Sequence, residues 1–182
     1  WGSQGFGDGE FSDPVSIVVN RSGFVYVTDA GNNRVQIFTM YGNYVGQWGT
    51  AGSGDGELSY PTGITLDDSG NVYVVESTNN RVQKFNASGL YMAKWGYAGT
   101  DAGNFSSPHG ITRDTDGNFY IADSGNNRIQ KFDTNGVYQN QWGSYGTTTG
   151  SFSNPLYPLS VGSTVYVTDE NVDRVQAFSQ TG

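Results

Sequence analysis

Cysteine is absent from the chain, and histidine occurs once, as His109. Without thiols there can be no disulfide framework, thiolate metal site or cysteine nucleophile. One imidazole cannot furnish a multi-histidine metal centre. Cationic side chains are also scarce, 9 against 17 acidic ones, which leaves a formal charge of −8 over 182 residues. Nucleic acid is a poor partner for that balance, because affinity for phosphate backbones comes from lysine and arginine. No apolar run approaches the roughly 20 residues of a membrane helix, so no membrane span is expected. Trp1 rather than methionine opens the chain, which is therefore expected to be a processed product or a piece of a longer protein. What is plentiful is glycine, at 27 residues, together with 12 Tyr and 10 Phe. These are residues of turns and strands, not of helices.

The sequence repeats. Trp1, Trp48, Trp95 and Trp142 stand at a constant step of 47 residues, and Pro14, Pro61, Pro108 and Pro155 keep the same step. Arg34, Arg81, Arg128 and Arg174 follow it as well, the last one residue early because the fourth copy carries a deletion after its proline. A period of this length belongs to solenoids or propeller blades. Within each copy four short runs alternate with turns, and in the second run both faces carry packing residues, as in Val25-Tyr26-Val27 or Phe119-Tyr120-Ile121. Such strands are buried on two sides. The chain is therefore expected to be all-β, a β-propeller built of four-stranded antiparallel blades. It forms one propeller region over 1–182, with a linker at 1–10 and repeats at 11–57, 58–104, 105–151 and 152–182. The last repeat is incomplete.

The residues also resemble a known family. Pro61-Thr62-Gly63-Ile64 and Pro108-His109-Gly110-Ile111, the Gly-Asn-x-Tyr runs at 70–73 and 117–120, and the stretch from Asp123 to Phe132 resemble NHL-repeat β-propellers. The resemblance implies a ring of six blades, of which four are present here. Blades shaped for six would subtend roughly 240° when four are strung together. The two open edges are then expected to be met by further blades of a parent chain or by other chains, with closure of four splayed blades as the third outcome.

Four acidic residues, Asp29, Glu76, Asp123 and Asp169, each stand five positions before an arginine, Arg34, Arg81, Arg128 and Arg174. A catalytic pair is needed once, whereas a structural clamp is needed in every blade, so these are expected to be clamps. His109 lies at the entrance of an inner strand, where Thr62 and Tyr157 hold comparable places, and these three are the candidate ligand-binding residues. Asp67 to Asn71 and Asp114 to Asn118 have the carboxylates and turning glycine of a calcium loop but lack its bidentate glutamate. No cofactor is expected, calcium being the alternative. The acidic linkers containing Asp8, Glu10, Asp55 and Glu57 read as solvated loops, and the aromatic ladder as filling between blades. Asn20, Asn86 and Asn104 each precede x-Ser, a pattern frequent enough by chance to decide nothing.

The function expected is a non-enzymatic binding or structural module, extracellular or on a cell surface, that engages a protein or small ligand. The alternative is a lyase-type propeller enzyme acting at the mouth of the central channel, as the family resemblance allows. RNA binding, known for some propellers of that family, conflicts with a chain whose lysines are Lys84, Lys94 and Lys131 only.

Overall fold

A computed structural model describes residues 1–182. A two-residue pair, β1 (Ser3–Gln4) with β2 (Glu10–Phe11), opens the chain. Blade 1 follows as β3 (Pro14–Val19), β4 (Phe24–Asp29), β5 (Arg34–Thr39) and β6 (Tyr44–Trp48). Blade 2 is β7 (Pro61–Leu66), β8 (Val72–Glu76), β9 (Arg81–Phe85) and β10 (Tyr91–Trp95), and blade 3 is β11 (Pro108–Arg113), β12 (Phe119–Asp123), β13 (Arg128–Phe132) and β14 (Tyr138–Trp142). Blade 4 has three strands, β15 (Pro155–Val161), β16 (Thr164–Asp169) and β17 (Arg174–Ser179). Every blade is an antiparallel meander in chain order.

The core lies between blades, which is why both faces of the second strands are apolar. Tyr26 and Val35 of blade 1 pack with Ile64, Val72, Val74 and Phe85 of blade 2. Tyr73, Val75 and Val82 meet Ile111, Phe119, Ile121 and Phe132 in the same way one step on, and Tyr120, Ala122 and Ile129 meet Val165 and Val167. The outer-strand tryptophans fill the widening wedge: the Trp48 ring lies 5.8 Å from Tyr26 and 5.9 Å from Phe85 of the next blade.

Adjacent inner strands touch along the axis, β3 with β7, β7 with β11 and β11 with β15, while β15 is not packed on β3. The ring is therefore partial. Ile17 is 60% exposed on the free side of blade 1, although its equivalents Ile64 and Ile111 are buried between blades. Val175, 64% exposed on blade 4, likewise matches the buried Val35, Val82 and Ile129. Closure of four splayed blades does not occur.

One expectation about the connectors needs correction. The acidic linkers are not free loops: their backbone is docked on the blade that follows. Arg34 donates from Nη1 to the Phe6 carbonyl at 3.0 Å and from Nη2 to the Gly7 and Glu10 carbonyls at 2.8 Å each. Arg81 and Arg128 hold the next two connectors alike, and Leu58, Phe105 and Phe152 plug from the connectors into the core. Among the linker carboxylates, those of Asp8 and Asp55 lie exposed, Asp55 accepting from Lys94 Nζ at 2.6 Å, while half-buried Glu10 and Glu57 each accept a hydrogen bond from a nearby glycine N–H.

Candidate functional site

Each recurrent carboxylate meets its arginine, because the two are direct strand partners beside a tight turn, as Asp29 is with Arg34. The turn ends on a left-handed residue, Asn33, Asn80, Asn127 or Asp173, a conformation that asparagine and aspartate tolerate. Arg34 Nε donates to Asp29 Oδ2 at 2.7 Å, and Arg128 Nε to Asp123 Oδ2 at 2.7 Å. The Asp29 carboxylate also accepts from the Ser12 N–H, Asn32 Nδ2 and Gln36 Nε2. Glu76, Asp123 and Asp169 are held in equivalent ways and are, like Asp29, fully buried. An acceptor saturated by this many donors has no lone pair left for chemistry. Arg174 is the most exposed of the four arginines, its outer flank being uncovered.

The three candidate ligand residues have different fates. Thr62 is completely buried, and its hydroxyl donates to the His109 carbonyl of the next inner strand at 2.9 Å. It forms part of a chain of links around the axis in which Thr28 Oγ1 donates to the Thr62 carbonyl, so, contrary to the expectation, its side chain ties inner strands together and does not face a ligand. His109 and Tyr157 do come together, with ring centroids 5.0 Å apart and edge to face. Both sit in bulges, where the pairing of β11 and β15 shifts just after Pro108 and Pro155. A bulge re-aims side chains out of the pleat, and here the two re-aimed rings meet each other.

The structure adds three residues that the repeat pattern did not single out. Asp13 and Tyr60 immediately precede the inner-strand prolines of blades 1 and 2, and the Tyr60 hydroxyl donates to Asp13 Oδ2. Both have positive φ, as does Ser107 at the same place in blade 3. A left-handed non-glycine residue is costly and persists where its surroundings impose it. The imposing contacts are visible: Asn33 Oδ1 accepts from the Tyr60 N–H, and Asn80 Oδ1 from the Ser107 N–H, each at 2.8 Å. Glu170, the third addition, opens the turn of blade 4 and accepts a hydrogen bond from Asn154 Nδ2 at 2.8 Å. It stands where the other copies have the small residues Ala30, Ser77 and Ser124.

These groups act on one another. Burial lowers the His109 imidazole from its ordinary 6.5, while the charges of Glu170 and Asp13 oppose the shift. Burial raises the Tyr157 hydroxyl, with Asp13 and Glu170 adding to it. The hydrogen bond to Asp13 raises Tyr60, with further contributions from burial, the Asp13 charge and Tyr157. His109 Nδ1 is shut away from solvent with no hydrogen-bond partner. Residues from four blades thus act on one another at the entrances of the inner strands, bringing two carboxylates, two phenols and one imidazole.

At the opposite ends of the inner strands, Asp67 Oδ1 accepts from the Ser69 and Asn71 N–H groups, and its Oδ2 from Asn71 Nδ2 and Tyr73 Oη. Asp114 makes the matching bonds to Asn118 and Tyr120. Burial pushes both carboxyls up, but these donors outweigh it and hold them below the usual range. In the two stretches that suggested calcium loops, these leading carboxylates are engaged in closing hairpin turns.

The profile of the NHL repeat matches residues 105–132, and a family described as a 6-bladed beta-propeller matches residues 8–97. Fold and matches together define a β-propeller chain. The stretch matched by the NHL repeat takes in the first three strands of blade 3, β11 to β13. Protein lin-41 of Caenorhabditis elegans is 47% identical over 47 residues, 26% of this chain but 4% of that protein. A catalytically inactive virginiamycin B lyase from Staphylococcus aureus, solved with quinupristin, superposes with a TM-score of 0.64 at 19% identity, over 91% of this chain and 55% of that one. A chain of a nidogen/laminin complex gives 0.70 at 19%, over 93% and 60%. The present chain thus spans a small part of the curated relative and between half and two thirds of these solved chains. At such identities the structural likeness speaks of fold alone.

Proposed function

We propose that this chain is a non-enzymatic β-propeller binding module acting outside the cell or at its surface, and that its working face is the channel mouth bearing Asp13, Tyr60, His109, Tyr157 and Glu170. One observation carries the reading: a frame repeated almost residue for residue holds different side chains at its strand entrances, and these converge. The recurrent buried pairs account for the scaffold, so the variable mouth is where specificity resides. The lyase reading has less support. A general base is normally oriented by a partner hydrogen-bonded to its second nitrogen, whereas His109 Nδ1 has no such partner. An exported or surface location accords with a composition poor in lysine and rich in glycine and tyrosine.

A photoreactive benzoylphenylalanine placed at Tyr157 should give discrete adducts with material from the extracellular medium. The same group at Tyr145, an exposed residue of a connector, should not. Equal labelling from both positions, or turnover of a small molecule abolished by His109→Ala, would overturn the reading.

A further inference from the structure

The mouth has a chemical bias of its own. Its charges are those of Asp13 and Glu170, each of which has one oxygen engaged by a neutral donor, Tyr60 Oη or Asn154 Nδ2. The other oxygen of each, Asp13 Oδ1 and Glu170 Oε1, receives no hydrogen bond from the chain. The arginines of the turns do not offset this charge, because the guanidinium of Arg34 is spent on Asp29 and connector carbonyls, and that of Arg174 on Asp169 and the connector before blade 4. Around the carboxylates stand the half-exposed rings of Tyr60 and Tyr157 and the imidazole of His109.

Neutral aromatic faces beside carboxylates with open acceptor sites form an environment for an organic cation, which gains both from the ring quadrupoles and from charge-assisted hydrogen bonds. The surroundings keep the rings in the required state: His109 is biased to the neutral form and both phenols toward the protonated one. The mouth is open and not enclosed as a small-molecule pocket would be, which suits a side chain projecting from a larger partner. The chain's charge of −8 would draw a basic partner toward it.

Resting on the binding-module reading above, we infer that the channel mouth receives the cationic side chain of a lysine or arginine from a protein partner, held between the carboxylates of Asp13 and Glu170 and the rings of Tyr60, His109 and Tyr157.

The single histidine makes the test direct, since its imidazole proton resonances report on this site without ambiguity. The chain is titrated with acetyl-Gly-Lys-Gly-amide, with the norleucine analogue that keeps the methylenes and lacks the charge, and with n-butylammonium. The lysine peptide should shift the His109 resonances saturably and depress the imidazole titration further, because a bound cation opposes protonation. The norleucine peptide should leave both unchanged. Asp13→Asn and Glu170→Gln replace exposed carboxylates by isosteres, so the fold should survive, and each should weaken the lysine peptide about 5- to 10-fold, a change checked at two salt concentrations. Binding by n-butylammonium equal to that by the peptide would point to a free amine ligand and overturn the assignment to a protein side chain. Equal shifts from the lysine and norleucine peptides would remove the cation while leaving the mouth as a binding face. Silence of His109 toward all three probes up to about 10 mM, a level at which even millimolar affinities register, would remove both.

Discussion

Arg81 donates to Glu76 where both side chains are nearly sealed from water, whereas Arg21 meets Asp68 with 83% and 60% of the two side chains exposed. Removing one partner of a buried pair strands the other charge, and Arg81 in addition anchors a connector through three carbonyls. Arg81→Met should therefore cost about 3–5 kcal/mol in urea unfolding, and Arg21→Met less than about 1 kcal/mol. His109 sets a pH dependence. Its folded titration lies below 6.5, so between that lowered value and 6.5 the unfolded chain binds more protons than the folded one. The corresponding stability is present above 6.5 and is lost as pH falls toward the lowered midpoint, and His109→Phe should flatten that part of the curve. Asp13→Asn removes a charge that opposes the shift, so nuclear magnetic resonance titration should place the His109 midpoint lower still. At this scale the sequence revealed His109 and Tyr157 through their place in the repeat frame. It did not reveal Asp13 and Tyr60, which precede the proline and become neighbours only when strand entrances from different blades meet. Glu170 carries a sequence signal of its own, a carboxylate where every other copy has a small residue. Thr62 shares the frame position of His109, yet its short side chain reaches only the neighbouring strand.

Among the elements, the inner strands are the most closely set. A Cβ on Gly63 would fall 2.5 Å from the His109 carbonyl oxygen, a backbone atom that cannot turn aside. Gly63→Ala should accordingly push β7 from β11 and cost about 1–3 kcal/mol, with the His109 resonances moving as well because the strand that carries them is displaced. Gly46, in β6, has nothing within 4 Å of its would-be Cβ and no positive φ. There alanine should stabilise by about 0.4–1 kcal/mol, by restricting the unfolded chain. Comparing the two midpoints in chemical denaturation separates close approach from general glycine loss. The strands themselves were legible, because a repeat of 47 residues with two-sided apolar runs has few structural solutions. The docked connectors were not. Arg34 recognises them through backbone carbonyls, which leave no mark on residue type, so glycine and acidic side chains suggested solvent where the backbone is in fact anchored.

For the whole molecule the decisive feature is a pair of unlike open faces. Ile17 and Val19 lie on one, and Val175 on the other beside the edge of β17, which lacks the fourth strand that β5, β9 and β13 each possess. Such surfaces combine exposed apolar side chains with unpaired backbone groups, and both favour association. Because the faces differ, copies joining through them would meet head to tail, closing only if the rotation allows. The isolated chain should therefore sediment as a species heavier than its 19.6 kDa, with mass rising with concentration. Val175→Asp and Ile17→Asp each place a charge on a different face at a site already exposed, so each should leave the unfolding midpoint nearly unchanged while returning the mass toward 19.6 kDa. If the unaltered chain is already monomeric at about 50 μM, where contacts of low-micromolar affinity would be populated, these faces do not recruit one another, and their cover must come from a different sequence.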